Sequence, residues 1–142
     1  MQEYADTSFL VSLYVFDANT PAANAYTKAW KRPPLLPFTP FSAFELNNTL
    51  RRVLQTKADL TLATKRIRSD FGAGIYVATP LQGYRLIAEA DRVSRLVTAN
   101  HRARALDVLH LANARISGAR VLLSFDKGQR SAALVLGLAV AP

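Results

Sequence analysis

Apolar residues in this chain form short clusters, separated by longer stretches in which they recur at every third or fourth position. Short clusters bounded by turn residues read as strands, and the wider spacing reads as amphipathic helix. The first strand is short and runs into Tyr4-Ala5-Asp6, with a helix beginning over Ser8 to Tyr14. Pro21 suits the first turn of a second helix, which reaches about Trp30. Lys31-Arg32-Pro33-Pro34 breaks it, because proline lacks an amide donor and restricts the residue before it. Leu35 to Phe38 is a candidate strand, closed by Pro40.

Ser42 is expected to cap a helix through about Gln55, where Phe41, Phe44, Leu46, Leu50, Val53 and Leu54 fall near the helical period. Asp59 opens another helix to about Phe71, stopped by Gly72 and Gly74. Ile75 to Ala78 reads as a strand, Gln82 to about Asn100 as a long helix, and Ala103 to Ser117 as a further helix ended by Gly118. Arg120 to Phe125, with Val121, Leu122 and Leu123 in succession, is the clearest buried strand. Lys127 to Leu136 is helical up to Gly137, and Leu138 to Val140 gives a last short strand. There is no repeat, low-complexity tract or linker, so one domain over residues 1–142 is expected. Strands separated by helices imply a mostly parallel sheet with right-handed crossovers, and ligands in such sheets bind beyond the carboxyl ends of the strands.

Composition narrows the possibilities. The chain has no cysteine, which excludes disulfides, thiolate-built zinc sites and thiol catalysis and suits a cytoplasmic setting. No apolar run approaches the roughly 20 residues a membrane span needs, and the residues after Met1 show no signal-peptide pattern. The 18 Lys and Arg against 10 Asp and Glu give a net charge of +8, which favours a polyanionic partner such as nucleic acid over a merely solubilising role.

Against that background the setting of a few acids is informative. Asp6, Glu45, Asp107 and Asp126 lie in largely apolar stretches, and Asp6 and Asp126 sit where a strand gives way to a helix. Both should emerge at one edge of a parallel sheet, with Glu45 and Asp107 on helices able to cover it. Converging carboxylates near a core are costly unless a cation pairs with them, and all-oxygen ligation selects Mg²⁺ or Mn²⁺. In a basic protein, the chemistry that uses such a site is phosphodiester hydrolysis. Capping offers an alternative for three of the four. Asp126 followed by Gln129 is nearly a capping box, Asp6 can cap the first helix, and Asp107 favours the first turn of its own. Glu45 sits mid-helix, where the alternative is a solvated flank.

Together these segments resemble a known family. Asp6-Thr7-Ser8 after a first strand, Phe44-Glu45-Leu46 within a helix, Ala105 to Ala112 around Asp107, and Leu122 to Lys127 before a helix and Leu136-Gly137-Leu138 are similar, in order, to the motifs of PIN domains. The length suits the VapC-type toxins. The resemblance implies a three-layer α/β/α sandwich with a central, mostly parallel five-stranded sheet, and Mg²⁺- or Mn²⁺-dependent endoribonuclease activity. It implies that Asp6, Glu45, Asp107 and Asp126 bind the metal and carry catalysis, with Thr7, Ser8 and Ser124 in support. It also implies a homodimer and a cognate antitoxin partner. Gln2 and Glu3 make the first strand less apolar than is usual for the family.

Other residues are weighed singly. His110 reads as a packed, hydrogen-bonded residue in preference to a general base or ligand. Arg102, Arg104 and Lys127 are candidate RNA contacts, and Lys127 stands beside Asp126. Arg51, Arg52, Lys65, Arg66 and Arg68 read as solvated helix faces, and Tyr26 and Trp30 as core or interface residues. Two rivals remain open: a non-catalytic nucleic-acid-binding domain of the same fold, and an interaction module whose acids only cap helices.

Overall fold

The computed structural model describes residues 2–142; Met1, the first residue of the expected domain, lies outside them. The amino half contains β1 (Glu3–Ala5), α1 (Thr7–Tyr14), α2 (Thr20–Lys28), β2 (Leu36–Phe38), α3 (Pro40–Val53) and α4 (Lys57–Gly72). The rest contains β3 (Tyr76–Ala78), α5 (Gly83–His101), α6 (Ala105–Ile116), β4 (Val121–Leu123), α7 (Lys127–Val135) and β5 (Ala139–Ala141). Every predicted element is present, with ends shifted by a few residues. The α3 cap is Thr39, not Ser42: the Thr39 side chain accepts from the Ser42 amide, because Pro40 occupies the first turn. The helix expected to open at Asp59 begins two residues earlier, capped by Thr56, whose hydroxyl also donates to Asp59 at 2.6 Å. Gly118 and Gly137 end α6 and α7 with φ of +71° and +77°, a conformation that side chains disfavour.

All strand pairings are parallel. The expected single five-stranded sheet is instead a three-stranded sheet ordered β1-β4-β5 and a two-stranded sheet β2-β3. The break has a local cause. The Leu36 amide donates to Ile75 and the Phe38 carbonyl accepts from Thr79, so these two residues turn their backbone toward β3. Alternation leaves Pro37 to face β1, beside which β2 packs, and proline has no amide hydrogen to offer.

The same alternation divides the core. Tyr4 and Leu122 point into one apolar cluster with Val93 and Val97 of α5, Leu111 of α6 and Ala132 of α7. Ala5, Val121 and Leu123 point into a second with Phe9 of α1, Leu46 and Leu50 of α3 and Ala63 of α4. Helices therefore cover both faces, in three layers. The polar start of β1 is accounted for: Glu3 accepts from the Tyr26 hydroxyl at 2.7 Å and the Trp30 indole at 3.1 Å. Among the described residues, no helix is long and apolar enough to cross a membrane.

Candidate functional site

Asp6 follows β1 and caps α1, its Oδ1 accepting from the Phe9 amide at 2.9 Å and the Ser8 hydroxyl at 2.7 Å. Ser124, at the end of the neighbouring strand β4, donates to Asp6 Oδ2 at 2.5 Å and accepts from the Asp126 amide at 3.1 Å. Ser8 in turn accepts from the Phe125 amide at 2.8 Å. Two serine hydroxyls thus fasten the end of β1 to the end of β4, as parallel pairing of Ala5 with Leu123 requires. Asp126 caps α7, accepting from the Gln129 amide at 2.7 Å. Asp107, in the first turn of α6, accepts from the Arg104 amide at 2.9 Å. The capping readings of these three acids are therefore structurally real.

Glu45 is held differently. The Thr7 hydroxyl donates to its Oε2 at 2.7 Å, and His110 Nε2 bonds the same oxygen. His110 is 2 % exposed, and its Nδ1 lies 2.9 Å from the Tyr4 hydroxyl. Because a carboxylate only accepts, Nε2 carries a proton toward Glu45, and Nδ1 pairs with the Tyr4 hydroxyl. Burial opposes the charge on Glu45, yet the His110 bond, its charge and Thr7 together hold the carboxyl below its ordinary range. Burial pushes Asp6 the other way, above its ordinary value of 3.8, against the pull of His110 and of its own hydrogen bonds. Tyr4 is likewise raised, chiefly by burial.

Asp6, Glu45, Asp107 and Asp126 line one open cavity of about 320 Å³ at the carboxyl edge of the sheet, with Thr7, Ser8 and His110. Their exposures differ: Asp6 is buried, Glu45 and Asp107 are half-buried and Asp126 is exposed. Glu45 Oε1, Asp107 Oδ1 and Asp126 Oδ2 have no hydrogen-bond partner among the described residues. Three hard oxygens are therefore free on the cavity wall, the donor chemistry that suits Mg²⁺ or Mn²⁺. As they stand, no three acids or histidines among the described residues are close enough to hold one ion, so ligation requires the side chains to close in.

Sequence reasoning gave several residues no part in this cavity: Gln129 was read only as a capping partner of Asp126, and Asp17 was not singled out. Gln129 is buried and donates to the Asp107 carbonyl at 3.3 Å, linking α7 to α6. Asp17 also lines the cavity, but its carboxylate is occupied by Ser12, Asn19 and Thr20. Arg52, expected on a solvated face, is the one Lys or Arg in the wall. It lies two turns beyond Glu45 on α3, a spacing that puts both on one face. That spacing was the available signal. Arg102, Arg104 and Lys127 do not line the cavity. They are exposed at helix ends beside it, Arg102 closing α5 with φ of +49°. No ion pair joins Lys127 to Asp126 among the described residues. Arg66 is not simply solvated either, since it donates to the Leu13 carbonyl at 2.6 Å and covers the Tyr14 ring.

No protein-family model matches the sequence, and a search of curated proteins finds no significant relative. Solved structures do match. VapC20 of Mycobacterium tuberculosis, described as a toxin that cleaves the sarcin–ricin loop, is 17 % identical, covers 92 % of this chain and 95 % of its own, and superposes with a TM-score of 0.65. FitAcB of Neisseria gonorrhoeae is 16 % identical over 99 % of this chain and 97 % of its own, with a TM-score of 0.73. PAE2754 of Pyrobaculum aerophilum is 20 % identical over 99 % and 90 %, with a TM-score of 0.61. At such identities the likeness establishes the architecture alone: this chain shares the fold of VapC20, FitAcB and PAE2754.

Proposed function

We propose that this chain is a Mg²⁺- or Mn²⁺-dependent endoribonuclease, one nuclease domain over residues 1–142, acting as the toxin of a VapBC-type toxin–antitoxin pair. The observation that carries the reading is the shared cavity: four carboxylates from four separate elements line it, and three of them keep an oxygen free. The activity of VapC20, cleavage of the sarcin–ricin loop, supports the choice of RNA. The same reading treats the two sheets as one five-stranded sheet interrupted at Pro37, and includes a cytoplasmic homodimer held by a cognate antitoxin.

Asp6, Glu45, Asp107 and Asp126 are the residues that would hold the cation. When bound, it would supply Lewis-acid stabilisation of phosphoryl charge and a lowered pKa for attacking water. The chain's own part is orientation. Ser8 and Ser124 fix both oxygens of Asp6, and Thr7 with His110 fixes Glu45 Oε2. Helix amino termini at Asp6 and Asp126 favour negative charge at this edge. Arg52 stands ready for a substrate phosphate oxygen on the same wall.

The test is cleavage of labelled RNA by the purified protein with Mg²⁺ or Mn²⁺, with chelator, and by Asp6→Asn and Asp126→Asn. Cleavage should need the ion, leave 5′-phosphate and 3′-hydroxyl ends, and fall by more than about 100-fold in either variant while unfolding stays cooperative. Normal rates in a variant would remove that residue from the site. The dispersed acids favour one second reading, a non-catalytic nucleic-acid-binding domain. It predicts RNA binding indifferent to chelator and no cleavage with any divalent ion.

A further inference from the structure

A second cavity of the molecule is larger than the acid-lined one. A cleft of about 590 Å³ opens where β4 and β5 begin, the opposite edge of the sheet from Asp6 and Asp126. Its wall carries Arg85 and Arg92 from α5, Arg115 from the last turn of α6, and Arg120 just before β4. Glu89 is the one acid in the wall.

Part of this cluster is built. The Glu89 side chain is 13 % exposed and accepts from Arg115 at 2.6 Å and from Arg92 at 3.3 Å. Arg115 also reaches the Leu136 carbonyl at 3.4 Å, across to the end of α7. One carboxylate therefore orients two guanidinium groups and neutralises only one charge. Arg85 bonds only the neutral Gln82 side chain, and Arg120 has no side-chain partner among the described residues. Four cations against one anion leave a surplus of about three positive charges in one cleft, which attracts phosphate groups.

A second feature points to the kind of anion. Tyr84, on the same wall, is 92 % exposed, an unusual place for a large ring with no packing partner. An exposed ring beside guanidinium groups is the arrangement that stacks unpaired bases while the cations follow the backbone. Tyr84 stands in the first turn of α5, whose amino terminus has no side-chain cap and so keeps amide donors free. An acidic peptide would use the charge and leave the ring idle.

We propose that the Arg85–Arg92–Arg115–Arg120 cleft, with Tyr84 at its wall, binds a single-stranded RNA segment apart from the acid site. The binding needs no divalent ion, so it stands or falls independently of the nuclease reading.

The experiment is fluorescence anisotropy with a labelled eight-nucleotide RNA and the full chain in chelator, across a salt series. Arg85→Ala/Arg120→Ala should flatten the log–log salt slope by about 1.4, since each single-strand phosphate contact contributes about 0.7. Tyr84→Ala should weaken binding roughly 5- to 150-fold, and Tyr84→Phe, which keeps the ring, should restore it. A nucleoside monophosphate should compete only weakly. Unchanged slope and affinity in these variants would overturn the proposal. A monophosphate binding as tightly as the octamer would reassign the cleft to free nucleotides. A polyglutamate peptide that binds through the same arginines, where RNA does not, would reassign it to an acidic protein.

Discussion

The two edges of the parallel sheet are chemical opposites. At the carboxyl edge, five acids and one arginine line a cavity; at the other, four arginines and one acid line a larger one. Backbone polarity underlies the division. α1 and α7 start directly after β1 and β4, so their positive amino ends meet at the carboxyl edge and are capped by Asp6 and Asp126. The carboxyl ends of α6 and α7 arrive at the opposite edge, where Arg115 closes one helix and reaches the carbonyl of Leu136, the residue that caps the other. A net charge of +8 thus hides a polar molecule, with acids gathered at one edge of the sheet and arginines at the other.

The edges also differ in how firmly the fold depends on them. His110 sits in the core between Tyr4 and Glu45, whereas Arg85 lies on the surface. His110→Ala should cost about 2–4 kcal/mol, because it removes the shorter hydrogen bond of the buried Tyr4 hydroxyl and one of the two partners of Glu45 Oε2, and opens a cavity. It should also cost about 10- to 100-fold in RNA cleavage, through lost orientation of Glu45. Arg85→Ala should stay within about 0.5 kcal/mol of wild type by denaturant unfolding. Equal losses from both would erase the contrast.

Acid should act on the two edges in opposite senses. Asp6 has a raised folded pKa, so without a cation its burial penalty is absent below 3.8 and grows as pH rises through the raised value. Stabilisation by Mn²⁺ should therefore increase with pH over that window, as measured by unfolding with and without the ion. Glu89 has a folded pKa held below 4.5 by its bond to Arg115, against a smaller opposing effect of burial. Its contribution is present above 4.5 and lost as pH falls through the lowered value, so Glu89→Gln should flatten the acid limb of the stability curve. The smallest effect belongs to Arg52→Ala, which should reduce the salt slope of RNA binding by about 0.7 without changing the unfolding midpoint.

Local chemistry explains why some of this was legible. Asp6 and Asp126 were found because a cap at a strand–helix junction is written within four residues of chain. The element order and the packed state of His110 were read on the same footing. Pro37 was also visible, but its effect depends on which way its backbone faces, which only the β2–β3 register decides. The Glu45 partnership of His110 spans 65 positions, and no local pattern announces it. The arginine cleft is the extreme case. Its cations come from α5, α6 and the start of β4, while the sequence drew attention to the denser run at Lys65, Arg66 and Arg68.

Calorimetric titration of Mn²⁺ into the RNA-free protein at neutral pH tests the central claim most directly, that four dispersed carboxylates serve one metal centre. Saturable binding is expected in the wild type, weakened by at least about 10- to 100-fold in each of Asp6→Asn, Glu45→Gln, Asp107→Asn and Asp126→Asn. Binding that is absent, or that none of the four substitutions alters, would contradict it.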